Sequence, residues 1–318
     1  MRRTVFEHRR AVRGARGGRG FTLVELIISL VLISLLALVA APLLRLPMVG
    51  WMDATRRASL SSGIDLAHSK LAEDLRRALP NSVRVSQVGP RYLIEYLEVR
   101  AWGRYRAGPS GAAQVCPAVC SGGATLNDVF QAACNETCFT SLGPLEGDPL
   151  DLPVPGADWV VLNPLNAVGV VDNPYFGGNV AVANGIKSRL TAMSPLIPAA
   201  SGNRVSIAAH AFPSLSAWKR FYIVSTPVTY DCDPGTQRLT RRWGYPISAV
   251  QPTAFGGGVA ASPLATNVAS CAIRYTAAGA AGRGGVVSVV MRLSQAAADT
   301  GIAESVELQA SFAVSEGP

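Results

Sequence analysis

The sequence has 318 residues, of which 49% are hydrophobic and 16% are charged. This composition excludes a largely disordered chain, and because the apolar residues are scattered except in one block, it argues against many membrane spans. The net charge is +8, but seven arginines and one glutamate in residues 1–20 contribute +6 and leave +2 for the rest. We therefore expect no nucleic-acid-binding surface on the main domain.

The one apolar block runs from Phe21 to Leu44 and contains 24 residues. A helix rises about 1.5 Å per residue, so the block can cross the roughly 30 Å hydrocarbon core of a bilayer. No small-residue cleavage site follows it, so we expect it to stay in the mature protein as an anchor. The arginines of residues 1–20 predict a cytoplasmic N-terminus and a chain that continues across the membrane.

Glu25 is the only charged residue between Phe21 and Leu44. A carboxylate costs roughly 2.5–3.5 kcal/mol at the bilayer centre and less near an end. An α-amine released by cleavage after Gly20, and offered by a neighbouring subunit, would compensate for that cost. A plain signal anchor with Glu25 at the membrane interface is the alternative.

The segment Gly20-Phe21-Thr22-Leu23-Val24-Glu25-Leu26, with its basic leader, resembles the class III signal of type IV prepilins and pseudopilins. The resemblance implies that a prepilin peptidase removes residues 1–20 by cutting between Gly20 and Phe21, and methylates the amine of Phe21. It implies that Glu25 is the residue on which assembly depends. The implied partners are inner-membrane lipid, an inner-membrane assembly platform, and other major and minor pilins, with the C-terminal domain in the periplasm.

Beyond Trp51, aliphatic residues recur at helical spacing, which predicts an amphipathic helix over residues 51–80 after an anchor helix over residues 21–50. Pro42, Pro47 and Gly50 predict a bend or partial melting between the two halves. The apolar stripe consists of Leu60, Ile64, Ala67, Leu71, Leu75 and Ala78.

Residues 81–318 carry short β-like runs without βαβ alternation. The fold class is therefore α+β, a type IV pilin-like long helix packed on an antiparallel sheet, with large decorated loops around 103–157 and 163–203. The predicted strands cover residues 83–85, 92–99, 159–162, 204–209, 221–226, 238–242, 286–293 and 305–314.

A narrower resemblance rests on five separate segments, and it is to the O-type minor pilin of the mannose-sensitive haemagglutinin (MSHA) pilus. It implies a minor pilin that primes or caps a filament. A minor pseudopilin of type II secretion shares the same plan, and a pilin-anchored adhesin that binds a ligand through loops 103–203 is a further alternative. The segments are 53–58, 75–84, 220–224, 227–232 and 243–247.

All six cysteines follow residue 115. In an oxidising compartment, the twin spacing of the first four allows nested disulfides, Cys116–Cys138 and Cys120–Cys134. A four-cysteine zinc site is the rival, and the predicted compartment favours the disulfides. The remaining two predict a third disulfide, Cys232–Cys271, which resembles a pairing expected in the O-type family.

The sequence contains no phosphate-binding glycine loop, no His-Glu-x-x-His and no Gly-x-Ser-x-Gly. His210 could activate a nearby serine, but a structural role is favoured, and His68 is expected at the surface. Asp231 and Asp233 are too few for a calcium site. We therefore predict no enzymatic activity, no catalytic residue, no metal and no cofactor.

Overall fold

The computed structural model describes residues 21–107, 129–132, 134–165, 172–177, 185–195, 202–216, 218–277, 285–297 and 301–314, and of residues 41–49 only the helical backbone. The chain divides into two compact units between Thr55 and Arg56. The first contains the apolar segment, and the second contains the β-rich domain.

Helix α1 runs from Leu23 to Arg76 and is 54 residues long. It is continuous through Pro42, Pro47 and Gly50, so the partial melting predicted there is wrong. The helix also ends four residues before Pro80. The backbone beyond Arg76 turns instead to strand pairing, because the Leu79 N–H donates to the Leu97 carbonyl at 2.8 Å.

Thirteen strands follow in the described part of the chain. They are β1 Arg84–Val88, β2 Arg91–Arg104, β3 Asn135–Thr140, β4 Glu146–Gly147, β5 Trp159–Leu162, β6 Lys187–Pro195, β7 Asn203–Ala211, β8 Arg220–Asp233, β9 Arg238–Trp243, β10 Ala260–Thr266, β11 Val268–Thr276, β12 Gly285–Ala296 and β13 Ala303–Val314.

Ten of these strands form one sheet in the order β1-β2-β8-β5-β6-β7-β3, with β4 on β2, β9 on β8 and β10 on β9. The two 14-residue strands β2 and β8 are its centre, and they pair antiparallel from Tyr92 opposite Cys232 to Arg104 opposite Arg220. The other three strands form an antiparallel sheet in the order β11-β12-β13. An apolar N-terminal helix followed in the chain by an antiparallel β-rich domain is compatible with a pilin-like fold.

The domain part of α1 packs its apolar stripe between the sheets. The five stripe residues on α1, and Ala78 just beyond its end, are buried and belong to one apolar cluster with residues of both sheets. Val228 and Tyr230 enter this cluster from β8, and Val287 and Met291 enter it from β12. Burial of each leucine, isoleucine, valine or methionine side chain in this cluster stabilises the fold by roughly 1.5–3 kcal/mol, so this layer holds the helix on the domain.

Three strands lie inside segments that the sequence predicts as loops. Strands β3 and β4 lie in the range 103–157, and β6 lies in the range 163–203. Strand β6 cannot be recognised in the sequence, because two of its buried positions hold the polar residues Lys187 and Ser188. The alternation of apolar and polar residues that marks a strand is therefore missing. These segments therefore form part of the sheet as well as decorating it, and a second apolar cluster includes Phe139 of β3 and Leu190 of β6.

Candidate assembly site at the start of the anchor helix

Thr22 caps the first turn of α1. Its hydroxyl accepts a hydrogen bond from the Glu25 N–H at 3.2 Å, and its carbonyl accepts one from the Leu26 N–H at 3.1 Å. Thr22-Leu23-Val24-Glu25 has the Thr-x-x-Glu spacing of a capping box, which satisfies donors that the first turn leaves unpaired. Glu25 is the acidic residue of this turn, where the helix dipole favours a negative charge.

The segment Leu23–Ala40 is long and apolar enough to cross a membrane, and none of it is buried within the protein. A core helix of a soluble domain would be mostly buried, whereas a signal sequence would share these properties. Phe21 is 76% exposed, and Glu25 is exposed as well. Soluble proteins rarely expose apolar patches of such size, so this surface is suited to contact with lipid or with other apolar helices.

The predicted cleavage and methylation site lies at the edge of the described residues. Gly20 falls outside them, and Phe21 is the first residue that the structure describes. The cut between these two residues, and the methylation of Phe21, therefore stay predictions. The neighbour's amine that is expected to pair with Glu25 belongs to an assembly, so the pairing stays a prediction too.

Asp74 joins α1 to the β-rich domain through polar contacts. The side chain is 1% exposed, and its Oδ2 accepts hydrogen bonds from the Tyr96 hydroxyl at 3.0 Å, the Tyr230 hydroxyl at 2.8 Å and Arg241 Nε. Lys70 Nζ lies 3.0 Å from the other oxygen. In the sequence, Asp74 does not stand out as a functional residue. The available signal is its position beside the apolar stripe, three residues after Leu71 and one before Leu75.

Burial of Asp74 opposes its charge and by itself would raise its pKa. The hydrogen bond and positive charge of Arg241, with further hydrogen bonds from Lys70 and Tyr230, outweigh burial and hold the pKa below its usual value. Burial also raises the pKa of the Tyr96 hydroxyl, and the negative charge of Asp74 raises it further, well above its usual value, so Tyr96 remains a donor. The network is therefore a buried carboxylate with its hydrogen-bond donors in place.

Cys232 at the end of β8 and Cys271 on β11 form a disulfide, with their Cα atoms 6.3 Å apart. This bond joins the ten-stranded sheet to the three-stranded sheet. Cys134 and Cys138 are both disulfide-bonded and buried. Their predicted partners Cys116 and Cys120 lie outside the described residues, so the nested pairing stays a prediction. Within the described part of the chain, no group of three or more His, Cys, Asp or Glu could hold a metal ion.

Asp231 has an ionic role inside the sheet. Its two oxygens accept hydrogen bonds from Arg91 Nε at 2.6 Å, Arg91 Nη2 at 2.8 Å and Arg242 Nε at 2.9 Å. A carboxylate held by two guanidinium groups is a poor ligand for a cation. His210 is buried, and its Nε2 contacts the Gly185 carbonyl, so its ring is held by the backbone.

Two adjoining pockets lie in the β-rich domain, and both are lined by Pro80 and Tyr222. One holds about 160 Å³ and includes Trp102, and the other holds about 130 Å³ and includes Trp218, which is 59% exposed. The lining also contains four arginines and two aspartates, Arg76, Arg77, Arg100, Arg220, Asp148 and Asp151. Aromatic and charged groups of this kind can bind a polar ligand that also has an apolar part.

The prokaryotic N-terminal methylation motif matches residues 16–41, which span the predicted cleavage site, Phe21 and Glu25. The match indicates a type IV pilin-like or pseudopilin-like protein, and it implies processing by a prepilin peptidase and assembly with other pilins. With the apolar helix, it indicates a membrane-anchored, pilus-associated protein. Neither the curated proteins nor the solved structures contain a match to this chain.

Proposed function

We propose that this chain is a minor pilin of a type IV, MSHA-like pilus, which primes or caps filament assembly through non-covalent contacts. The observation that carries the proposal is the methylation motif over residues 16–41, with Glu25 in the first turn of a helix whose apolar surface is uncovered. The mature protein begins at N-methyl-Phe21. Its Glu25 pairs with the α-amine of a neighbouring subunit, and this pairing is strong because lipid screens charge weakly.

The compartment of the domain follows from charge and thiol chemistry. Seven arginines precede the apolar segment and hold the N-terminus in the cytoplasm, so the domain crosses the inner membrane to the periplasm. The Cys232–Cys271 disulfide supports this direction, because disulfides persist in the periplasm and are rare in the cytosol.

The size of the domain and the MSHA-like segments support a minor subunit. A repeated shaft subunit must tile densely, and the unit Arg56–Pro318 is large for that role. The MSHA relationship rests on the five segment resemblances of the sequence. A minor pseudopilin of a type II secretion system is the nearest alternative, since it would have the same anchor and the same Glu25 contact.

A pilin-anchored ligand-binding module is the second candidate, and the pockets around Tyr222 favour it. They place Trp102 and Trp218 beside arginine side chains on one surface of the domain. A Trp218→Ala variant that still joins the assembly but loses adhesion would support this role. Unchanged adhesion would oppose it.

Intact-mass measurement of the membrane-extracted protein tests the minor-pilin proposal, and a strain without prepilin peptidase is its control. With the peptidase present, we expect a chain that starts at N-methyl-Phe21 and has no alkylatable thiols. Without the peptidase, we expect residues 1–20 to be retained. A leader that is retained in both strains would contradict the proposal. Co-purification with MSHA-type pilins or with type II secretion pseudopilins then separates the two assembly systems.

A further inference from the structure

Strand β13 is a long edge that carries charges at Glu304 and Glu307 but lacks the proline, the bulge and the short length that protect other edges. It has 12 residues and, within the described part of the chain, pairs only with β12, in an unbroken register from Ala296–Ala303 to Gly285–Val314. Proteins protect exposed edges with short strands, prolines or bulges, because free backbone groups recruit other strands. Strand β1 has only five residues, and β10 has Pro263 and a register shift, whereas β13 has neither a proline nor a bulge.

The inward face of β13 is incompletely covered. Residues Val306, Leu308 and Ala310 pack against the main apolar cluster but are only half-buried. On the adjacent strand β12, Val289 and Met291 are 5% and 2% exposed. The apolar layer therefore continues to the edge of the sheet, where a further strand would complete its burial.

The exposed residues of β13 follow the same order in both chain directions, except that Gln309 stands where full symmetry would place a second glutamate. Every second residue is exposed along the whole strand. In order they are Ala303, Ser305, Glu307, Gln309, Ser311 and Ala313. The order is symmetric about Leu308, with Glu307 and Gln309 as the central pair.

We propose that β13 pairs antiparallel with β13 of a second copy of this chain, about a two-fold axis at Leu308. Opposed residues in an antiparallel pair lie on the same face, so this register sets alanine opposite alanine and serine opposite serine. Glu307 of each copy lies opposite Gln309 of the other, where the amide can donate to the carboxylate. Like charges, which destabilise an opposed pair, do not meet on this face.

The inward face fits the same axis. Leu308 meets its own copy, and Val306 of each chain lies opposite Ala310 of the other, so the half-buried residues gain apolar neighbours. Glu304 is the one charge on this face. It is already held by Arg57, at 2.7 Å, near the start of the strand. A two-fold contact of this kind is closed, because the same strand is used on both sides.

A charge exchange on the outward face tests this pairing in the full-length processed protein in detergent. Gln309→Glu sets carboxylates opposite each other at two places, and we expect the dimer dissociation constant to rise roughly tenfold. Adding Glu307→Gln to that variant restores one acid opposite one amide, and we expect dimerisation to return to the wild-type level. Thr276→Glu, on an exposed position of β11, adds the same charge elsewhere and should change nothing.

Sedimentation equilibrium measures the association, and thermal unfolding checks that each variant is folded. The anchor helices of all variants are identical, so association through them is constant across the series. A monomeric wild type, a dimer unaffected by Gln309→Glu, or a double variant that stays dissociated would each overturn the proposal.

Cross-linking tests the register independently. Cysteines at opposed positions have Cα atoms about 4.5–5.5 Å apart, which a disulfide can bridge, whereas diagonal positions are roughly 7–8 Å apart. A mixture of Glu307→Cys and Gln309→Cys proteins should therefore cross-link well, and each alone should cross-link poorly. Equal cross-linking in all three samples would overturn the register.

Discussion

The Tyr230 hydroxyl on β8 lies 2.8 Å from the Asp74 carboxylate on α1, although 156 positions separate the two residues along the chain. Apolar packing alone allows a helix to slide or rotate on a sheet with little change in buried area. A buried charge with donors from β2, β8 and β9 permits one position only, because any other would leave the carboxylate unpaired. The contact therefore fixes how the domain part of the helix lies on the sheet.

Replacing Asp74 by asparagine should destabilise the domain strongly. The variant leaves Arg241 without its buried counterion, and breaking a buried pair in this way costs about 3–5 kcal/mol. Thermal unfolding of the detergent-solubilised protein, with disulfides intact, measures the loss. Asp65→Asn is the matched control, since Asp65 is an exposed aspartate on the same helix. Equal unfolding temperatures for the two variants would show that the Asp74 network contributes little.

The hydrogen-bond network of Asp74 also predicts that the domain loses stability in acid. The pKa of Asp74 is held below its ordinary value of 3.8, so its charged form is favoured in the folded state. The stabilisation is present above that ordinary value and is lost as pH falls through the lower folded pKa. The difference in unfolding free energy between wild type and Asp74→Asn should therefore be constant near pH 6 and shrink below about pH 4. A difference that is unchanged down to pH 2 would assign the effect to packing.

Lys187 on β6 predicts a second change of stability with pH, in the alkaline range. It is 3% exposed, its ammonium lies 5.7 Å from the Trp159 ring centroid, and no residue in the described ranges forms a salt bridge with it. Burial, with the nearby positive charge of Arg84, lowers its pKa from 10.5 to about 8. The unfolded chain thus binds the proton more tightly, so stability should rise with pH between about 8 and 10.5.

A Lys187→Met variant isolates the contribution of the buried Lys187 charge to the stability of the fold. It should be more stable than wild type at pH 7, by up to about 3 kcal/mol, because it removes a buried charge and keeps most of the volume. The advantage should vanish near pH 10, where the wild-type amine is neutral. Arg189→Met, on a half-buried residue of the same strand, is the control and should show no such pH dependence. A pH-independent difference at residue 187 would contradict the explanation.

The disulfide between Cys232 and Cys271 closes a loop with a sequence separation of 39. Constraining a loop of this length in the unfolded chain stabilises the fold by about 4 kcal/mol in the chain-entropy account. Replacing both cysteines by serine should lower the unfolding free energy by that order. Chemical denaturation under non-reducing conditions measures it, with oxidised wild type as the comparison, because reduction would also break the disulfides of Cys134 and Cys138. A double variant that is as stable as oxidised wild type would show that the two sheets do not need this link.

The elements that the sequence predicts well depend on local chemistry. The apolar segment is visible because nearly every side chain is aliphatic, and strands β2 and β8 are visible because they are rich in aromatic and β-branched residues. The methylation motif is equally local, since Gly20, Phe21 and Glu25 lie within six positions. None of these features needs a distant partner to be recognised.

The features that the sequence misses are defined by distant partners. Asp74 resembles any other helix carboxylate until Tyr96, Tyr230 and Arg241 converge on it. Strand β6 begins with a lysine and a serine that are buried only because neighbouring strands cover them. The symmetry of β13 is visible in the sequence, but it indicates pairing with a second copy only once the strand is known to be an edge.

Glu25 gives the most direct test of assembly. Glu25→Gln removes the charge that we expect to attract the amine of a neighbouring Phe21, and it also lowers the cost of placing the helix in lipid. The variant should therefore insert and be processed as well as wild type, while its incorporation into the pilin assembly falls at least tenfold, as expected when an ion pair worth over ~1.4 kcal/mol in lipid is lost. Ser29→Ala, in the next turn of the same helix, should assemble normally. Quantitative blotting of assembled and membrane fractions separates the two steps, and normal incorporation of Glu25→Gln would remove the basis of the proposed function.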